Sequence, residues 1–307
     1  MMRAESKQMK LSMGTWSFAF GPYAASPKSI PEIAQRLASA GFDGIELSGY
    51  PPHVTPEAYS TPAARTELRT LLSDLGLGIS GFSSDLGSAN PTIPENRGAY
   101  LDLFRRLLEL CHDLGCPMIR VDSVGAPGSI PDEDYHTAFH RLSDLWRDCA
   151  DASRQAHVLM TWEFEPGFLF NKPSEVIEMH ELVGHPWFQI LFDTAHAYMS
   201  SVVGSRQHGK REILEGGVAE FIARLHGSIG AVHVIDSDGT LVNDDTSTHL
   251  PIGEGHVPWQ FLAPKLLSIP HINWWCADLC FYEGAWEKID ENLRAVRGLV
   301  GPAPVKR

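Results

Sequence analysis

The sequence predicts an α/β fold, a (β/α)8 TIM barrel spanning residues 1–307 as one domain, with frayed ends at 1–9 and 301–307. Three observations lead there. Short apolar runs alternate with segments of helix length. Eight such runs can be counted, near Leu11, Gly44, Leu77, Met118, Val158, Gln189, Ala231 and Ile272. The pattern of helix, glycine, spacer and strand recurs around Gly41, Gly76, Gly115, Gly184 and Gly227, where glycine can take the left-handed turn that ends a helix. A competing open sheet needs a glycine-rich phosphate loop after its first strand, and Met13-Gly-Thr-Trp-Ser holds no GxGxxG.

Taken in order, the first strand runs from Lys10, and Ser29 caps a helix that Gly41 stops. Phe42-Asp-Gly-Ile-Glu46-Leu is the second strand. Thr61-Pro62 opens the second helix, which ends at Gly76. Residues 77–82 form the third strand, and 101–114 carry apolar positions at helical spacing before Gly115. Residues 117–122 make the fourth strand. After the breaker-rich 125–128, an amphipathic helix from Asp132 to about Gln155 leads into Thr161-Trp-Glu-Phe-Glu-Pro-Gly, the fifth. Three later runs share that design, Ile190-Leu-Phe-Asp193-Thr-Ala-His196, Ala231-Val-His233-Val-Ile-Asp236 and Trp274-Trp-Cys-Ala-Asp278. A helix begins at Pro258.

Composition narrows the function. With 38 acidic and 25 basic residues among 307, the net charge of −13 opposes nucleic acid and anionic membranes, and Arg206, Lys210 and Arg211 form only a small basic group. Five cysteines without a CxxC fit unpaired thiols in a reducing cytoplasm. Residues 1–10 are polar, and no run approaches the roughly 18 apolar residues of a membrane span. A cytoplasmic location without nucleic-acid or membrane partners is therefore expected.

The polar residues closing four successive strands carry the chemistry. Glu165, Asp193, His233 and Asp278 are the candidate metal ligands, each one βα unit from the next, at the end where such barrels place their sites. Glu163 projects to the same side as Glu165, so one can bind an ion while the other lies deeper. Asp193 can bind the ion or cap the next helix, with His196 reaching substrate one turn on. Asp236, beside Asp238-Gly239, orients substrate hydroxyls or forms a turn. Asp278 sits among bulky residues, where an uncompensated carboxylate would cost several kcal/mol. Carboxylates and an imidazole without thiolate suit one divalent ion, Mn²⁺, Mg²⁺, Co²⁺ or Zn²⁺; the three carboxylates tilt the choice toward harder ions, and Mn²⁺ is the first candidate. Cys276 and Cys280 are assigned to packing. His249, in Thr248-His-Leu-Pro-Ile-Gly-Glu-Gly255, is placed near the pocket.

In order and spacing, Glu165, Asp193-Thr-Ala-His196, His233, Ile252-Gly-Glu-Gly255 with Pro258-Trp259, and Asp278 resemble the xylose isomerase-like TIM barrels, which include sugar isomerases, ketose 3-epimerases and endonuclease IV. The resemblance covers most of the chain. It implies a sugar or sugar-phosphate isomerase or epimerase acting through a metal-stabilised enediolate, with Glu165 as base and Asp278 or Glu163 as its partner. His196 and Asp236 would hold substrate hydroxyls, while Trp16, His53 and Trp274 would wall the pocket. In ketose 3-epimerases the fourth ligand is glutamate, so Asp278 departs from them by one methylene. A lyase acting on a 3-oxo-sugar shares the same enolisation and is the alternative. Endonuclease IV fits less well, since Ser247 stands where that family has a zinc-binding aspartate. A non-catalytic sugar-binding barrel would need no paired acid and base. The implied partner is a small carbohydrate, and homo-oligomers are common in the family.

Overall fold

Eight parallel strands form a closed barrel: β1 (Lys10–Gly14), β2 (Gly44–Ser48), β3 (Gly78–Ser83), β4 (Met118–Val121), β5 (Leu159–Glu163), β6 (Phe188–Asp193), β7 (Ile229–Val234) and β8 (Trp274–Ala277). Each strand pairs with its neighbours in sequence, and β8 closes on β1 through Leu11 opposite Trp275 and Met13 opposite Ala277. The computed structural model describes residues 8–301. The expected frayed ends lie outside the described residues except for Gln8, Met9 and Gly301, and Met9 is buried.

Among the described residues the α-helices are α1 (Ile30–Ala40), α2 (Pro62–Asp74), α3 (Arg97–Leu114), α4 (Asp132–Ala156), α5 (Pro173–Val183), α6 (Thr194–Tyr198), α7 (Gly217–Arg224), α8 (Trp259–Leu267) and α9 (Ile289–Val300). Their ends follow local chemistry. Ser29 and Glu32 cap α1 reciprocally, each side chain accepting from the other's backbone N–H. Gly41, Gly76, Gly115, Gly184 and Gly227 have φ of 94°, 72°, 75°, 56° and 90°, so the repeated helix stop is a repeated left-handed turn. None of the described helices is long and apolar enough to cross a membrane. All five cysteines are free and buried.

The apolar core lies between the barrel wall and the helices. On β5, Trp162 packs outward on Trp146 of α4 with ring centroids 5.2 Å apart, and Phe164 meets Phe221 of α7 at 5.3 Å. Strand alternation then turns Thr161, Glu163 and, beyond the strand, Glu165 inward. Packing of the outer face thus aims the acids of the inner one. Trp162 is fully buried. Trp162→Ala is expected to lower the unfolding free energy by about 3–5 kcal/mol in urea denaturation; a loss below about 1 kcal/mol would contradict this packing.

Candidate active site

The mouth of the barrel, at the C-terminal ends of the strands, gathers charges that apolar strands bring inward. Arg120 is on β4. Its Nε lies 2.5 Å from Glu163 Oε2, one terminal nitrogen lies 3.3 Å from Asp122, and the other lies 3.4 Å from Glu165. All four side chains are buried. Glu165 also accepts a 2.6 Å hydrogen bond from the Thr246 hydroxyl. Thr246 and Ser247 belong to a two-stranded ribbon, Leu241–Val242 with Thr246–Ser247, that follows β7 and covers the mouth.

Opposite Arg120, His233 of β7 is 1% exposed between three carboxylates. Its Nε2 contacts Glu46 of β2 at 3.1 Å, while its Nδ1 lies 3.0 Å from Glu163 and 3.9 Å from Asp193. Asp193 divides its oxygens. Oδ1 accepts from the His196 N–H at 2.8 Å and caps α6, whereas the buried Oδ2 has no hydrogen-bond partner. His233 Nδ1 likewise lacks an aligned partner despite its short contacts. Ligand atoms of Glu163, Asp193 and His233 fall within 4.8 Å of one another, as do those of Asp193, His196 and His249, and of Glu163, Glu165 and His196. Orphaned oxygen and imidazole nitrogen facing one gap fit a divalent cation, and a Glu46 contact behind the histidine matches the carboxylate that commonly orients such a ligand.

Burial and charge push these groups apart in acidity. Burial would raise Glu163, but Arg120 and then His233 outweigh it and hold its carboxyl far below the usual range. Glu165, two residues on, rises to about 8 through burial, with Glu163 adding to the shift and Arg120 opposing it. Asp193 rises to about 7 because of burial. His196 falls to about 3 for the same reason, and His249 adds to the fall. His249 rises to about 9 because Asp278, 3.2 Å away, outweighs burial. Asp278 is held low by the same imidazole against its own burial, and it accepts from Ser17 Oγ at 3.1 Å and Cys280 N at 2.7 Å.

A cavity of about 190 Å³ opens on most of these groups, with Asp193 and His233 outside its lining. Arg120, Glu163, Glu165, His196, His249 and Asp278 line it, with Trp16 and other aromatic residues around them. Of the expected site residues, the structure brings Glu163, Glu165, Asp193, His196, His233, His249 and Asp278 to one end of the barrel. The expected ligands Glu165, Asp193, His233 and Asp278 do not form one close group, because Glu163 stands between Arg120 and His233. Asp236 is elsewhere. Its carboxylate accepts from Ser237, Gly253 and Val257 backbone N–H groups and from Trp259 Nε1, at 2.8–3.1 Å, so no acceptor remains for substrate hydroxyls. His53 is buried away from the cavity with Nε2 3.0 Å from the Lys28 carbonyl. Trp274 opens β8 and lines a separate cavity at the opposite end of the barrel, whereas Trp16 walls the mouth as expected. Cys280, expected only to pack, lines the mouth. Arg120, Glu46 and Thr246 were not foreseen. The first two had a signal, a charged residue inside an apolar strand, which is the same reasoning that singled out Asp278.

A family model described as xylose isomerase-like TIM barrel matches residues 34–298. No curated protein matches the chain. Among solved structures, a D-psicose 3-epimerase in the presence of D-fructose superposes with a TM-score of 0.73 at 18% identity, over 96% of this chain and 100% of that one. The 3-keto-D-glucoside 4-epimerase of E. coli gives 0.70 at 17%, over 95% and 100%. The probable 3-DHS dehydratase of Bacillus anthracis gives 0.71 at 18%, over 94% and 98%. At these identities the likeness is one of fold.

Asp236 provides a direct check on its structural role. Asp236→Ala leaves four donors of the 237–259 segment without their acceptor and is expected to cost at least ~2 kcal/mol of stability in urea denaturation. Stability unchanged, with substrate affinity lost instead, would return the residue to the pocket.

Proposed function

Because the chain belongs to the xylose isomerase-like TIM barrel family, we propose that it is a divalent-metal-dependent isomerase or epimerase of a small carbohydrate, with Mn²⁺ as the first candidate ion. The observation that carries this reading is the gap bounded by the orphaned Asp193 Oδ2 and His233 Nδ1 beside two glutamates of opposite acidity. Asp193 and His233 would hold the ion, Glu165 and Asp278 stand farther off, facing the cavity, and Arg120 neutralises Glu163 and keeps it as the inner wall. An ion there supplies Lewis acidity, polarising a substrate carbonyl and acidifying the neighbouring C–H.

The protein's own groups then handle the proton. Glu165 faces the cavity with one oxygen fixed by the Thr246 hydroxyl and is the carboxylate that takes the proton from carbon and returns it. Asp278, anchored by Ser17 and the Cys280 N–H, is its counterpart across the cavity. His196 has Nδ1 2.8 Å from Ser247 Oγ, which leaves Nε2 to meet a substrate hydroxyl. Trp16 and its aromatic neighbours present flat apolar walls to the faces of a sugar and limit the water that reaches the reacting carbon.

Elimination is a second reading, favoured by His249. An imidazole pushed up to about 9 beside Asp278 is an acid able to protonate a departing oxygen, which isomerisation does not require.

Both readings share one test. Mn²⁺ is titrated into the chelated protein, and ketoses and 3-oxo-glycosides are followed by proton NMR in D₂O. Wild type is expected to bind one ion in the barrel and to exchange a C–H of one of these substrates. Asp193→Asn is expected to lose the ion, and Glu165→Gln to slow exchange about 10²-fold or more. An eliminated fragment in the spectrum would select the lyase. Absence of Mn²⁺ binding together with absence of exchange would refute the proposal, and loss of the ion in Glu163→Gln but not in Glu165→Gln would reverse the roles of the two glutamates.

A further inference from the structure

On the outside of the barrel, His136 and His140 of α4 lie one helical turn apart on the same face, and Glu178 of α5 stands against them. The two Nε2 atoms are 3.2 Å apart with ring planes at 63°. Zinc–imidazole bonds of about 2.0–2.1 Å meeting at a tetrahedral angle place their two nitrogens about 3.3 Å apart. One ligand atom from each of His136, His140 and Glu178 lies within 4.8 Å of those of the other two. We propose that His136, His140 and Glu178 form a second metal site, separate from the barrel mouth, for a late first-row divalent cation of the zinc class.

The donor set decides the class of ion. Two imidazoles and one carboxylate suit Zn²⁺, Cu²⁺ or Ni²⁺, whereas the oxygen-rich barrel mouth suits a harder ion. His136 and Glu178 are exposed and His140 half-buried, so an ion reaches the three ligands from solvent and keeps water on its open side. A proton shared between the imidazoles would satisfy the pair alone, but it gives no role to Glu178. His136 and Glu178 also border a cavity of about 190 Å³ with Tyr135, Lys172, Glu175 and His208; Lys172 is the one permanent cation among these residues, against two glutamates. An ion here ties α4 to α5, the two helices joined through β5, the strand that delivers Glu163 to the mouth.

The test uses full-length, tag-free protein stripped with a chelator and titrated with Zn²⁺ by calorimetry. Wild type, Asp193→Asn, Glu178→Gln and the double variant His136→Gln/His140→Gln are compared, with circular dichroism confirming the fold. One equivalent is expected to survive Asp193→Asn and to disappear in the double histidine variant, while Glu178→Gln weakens it. Proton–nitrogen NMR of the imidazoles is expected to shift His136 and His140 Nε2 on adding that equivalent. A double variant that binds Zn²⁺ with wild-type number and affinity, or binding at these histidines only at millimolar Zn²⁺, would overturn the proposal. Because Asp193→Asn isolates the outer site, failure of the barrel reading leaves this result interpretable.

Discussion

Charge balance in the buried mouth of the barrel is the constraint around which the rest of the site is arranged. Asp122, Glu163, Glu165, Asp193 and Asp278 are all at most 8% exposed, and Glu46 lies below them, yet among the described residues Arg120 is the only arginine or lysine buried with them. Carboxylates removed from water cost several kcal/mol each unless paired. The protein answers in three ways. Arg120 spans three of the acids, the imidazoles of His233 and His249 sit against others, and burial makes Glu165 and Asp193 weaker acids that hold their protons more readily. The proposed divalent cation between Asp193 and His233 would be a fourth answer, and the one that would turn a costly cluster into chemistry.

The loop after β7 supplies the other half of the site, and its shape comes from one buried carboxylate. Asp236 draws three backbone N–H groups and the Trp259 indole onto itself, and its own backbone exchanges hydrogen bonds with Leu250 at 3.0 and 2.9 Å. That clamp fixes the ends of a segment whose middle delivers Thr246 to Glu165, Ser247 to His196 and His249 to Asp278. Through that clamp Asp236 positions Thr246 and His249, which line the cavity, and Ser247, which holds His196. In the sequence Asp236 reads as either orienting substrate hydroxyls or forming a turn; the donors it meets are the chain's own.

Much of this was legible in the sequence because it is encoded locally. Each left-handed glycine, the Ser29–Glu32 cap and the polar residue closing each strand declare themselves within a few positions. The ligand candidates came from that regularity, and strand alternation placed Glu163 and Glu165 on one side. Alternation does not fix depth: β5 ends at Glu163, and the chain then carries Glu165 over the rim toward Thr246. Long-range pairing was the larger omission. Arg120 meets Glu165 across 45 residues and His233 meets Glu46 across 187, and neither distance is written in a local pattern. His53 and Trp274 misled for a related reason, since an aromatic or imidazole ring near a strand end carries no mark of which end of the barrel it faces.

The most direct test of the central claim is an anomalous difference map from crystals grown with Mn²⁺. The account predicts a peak between Asp193 Oδ2 and His233 Nδ1, with Glu46 still on the far nitrogen of that ring and Arg120 still on Glu163. An empty gap with Asp193 and His233 joined directly to each other, or a peak that uses neither, would contradict it.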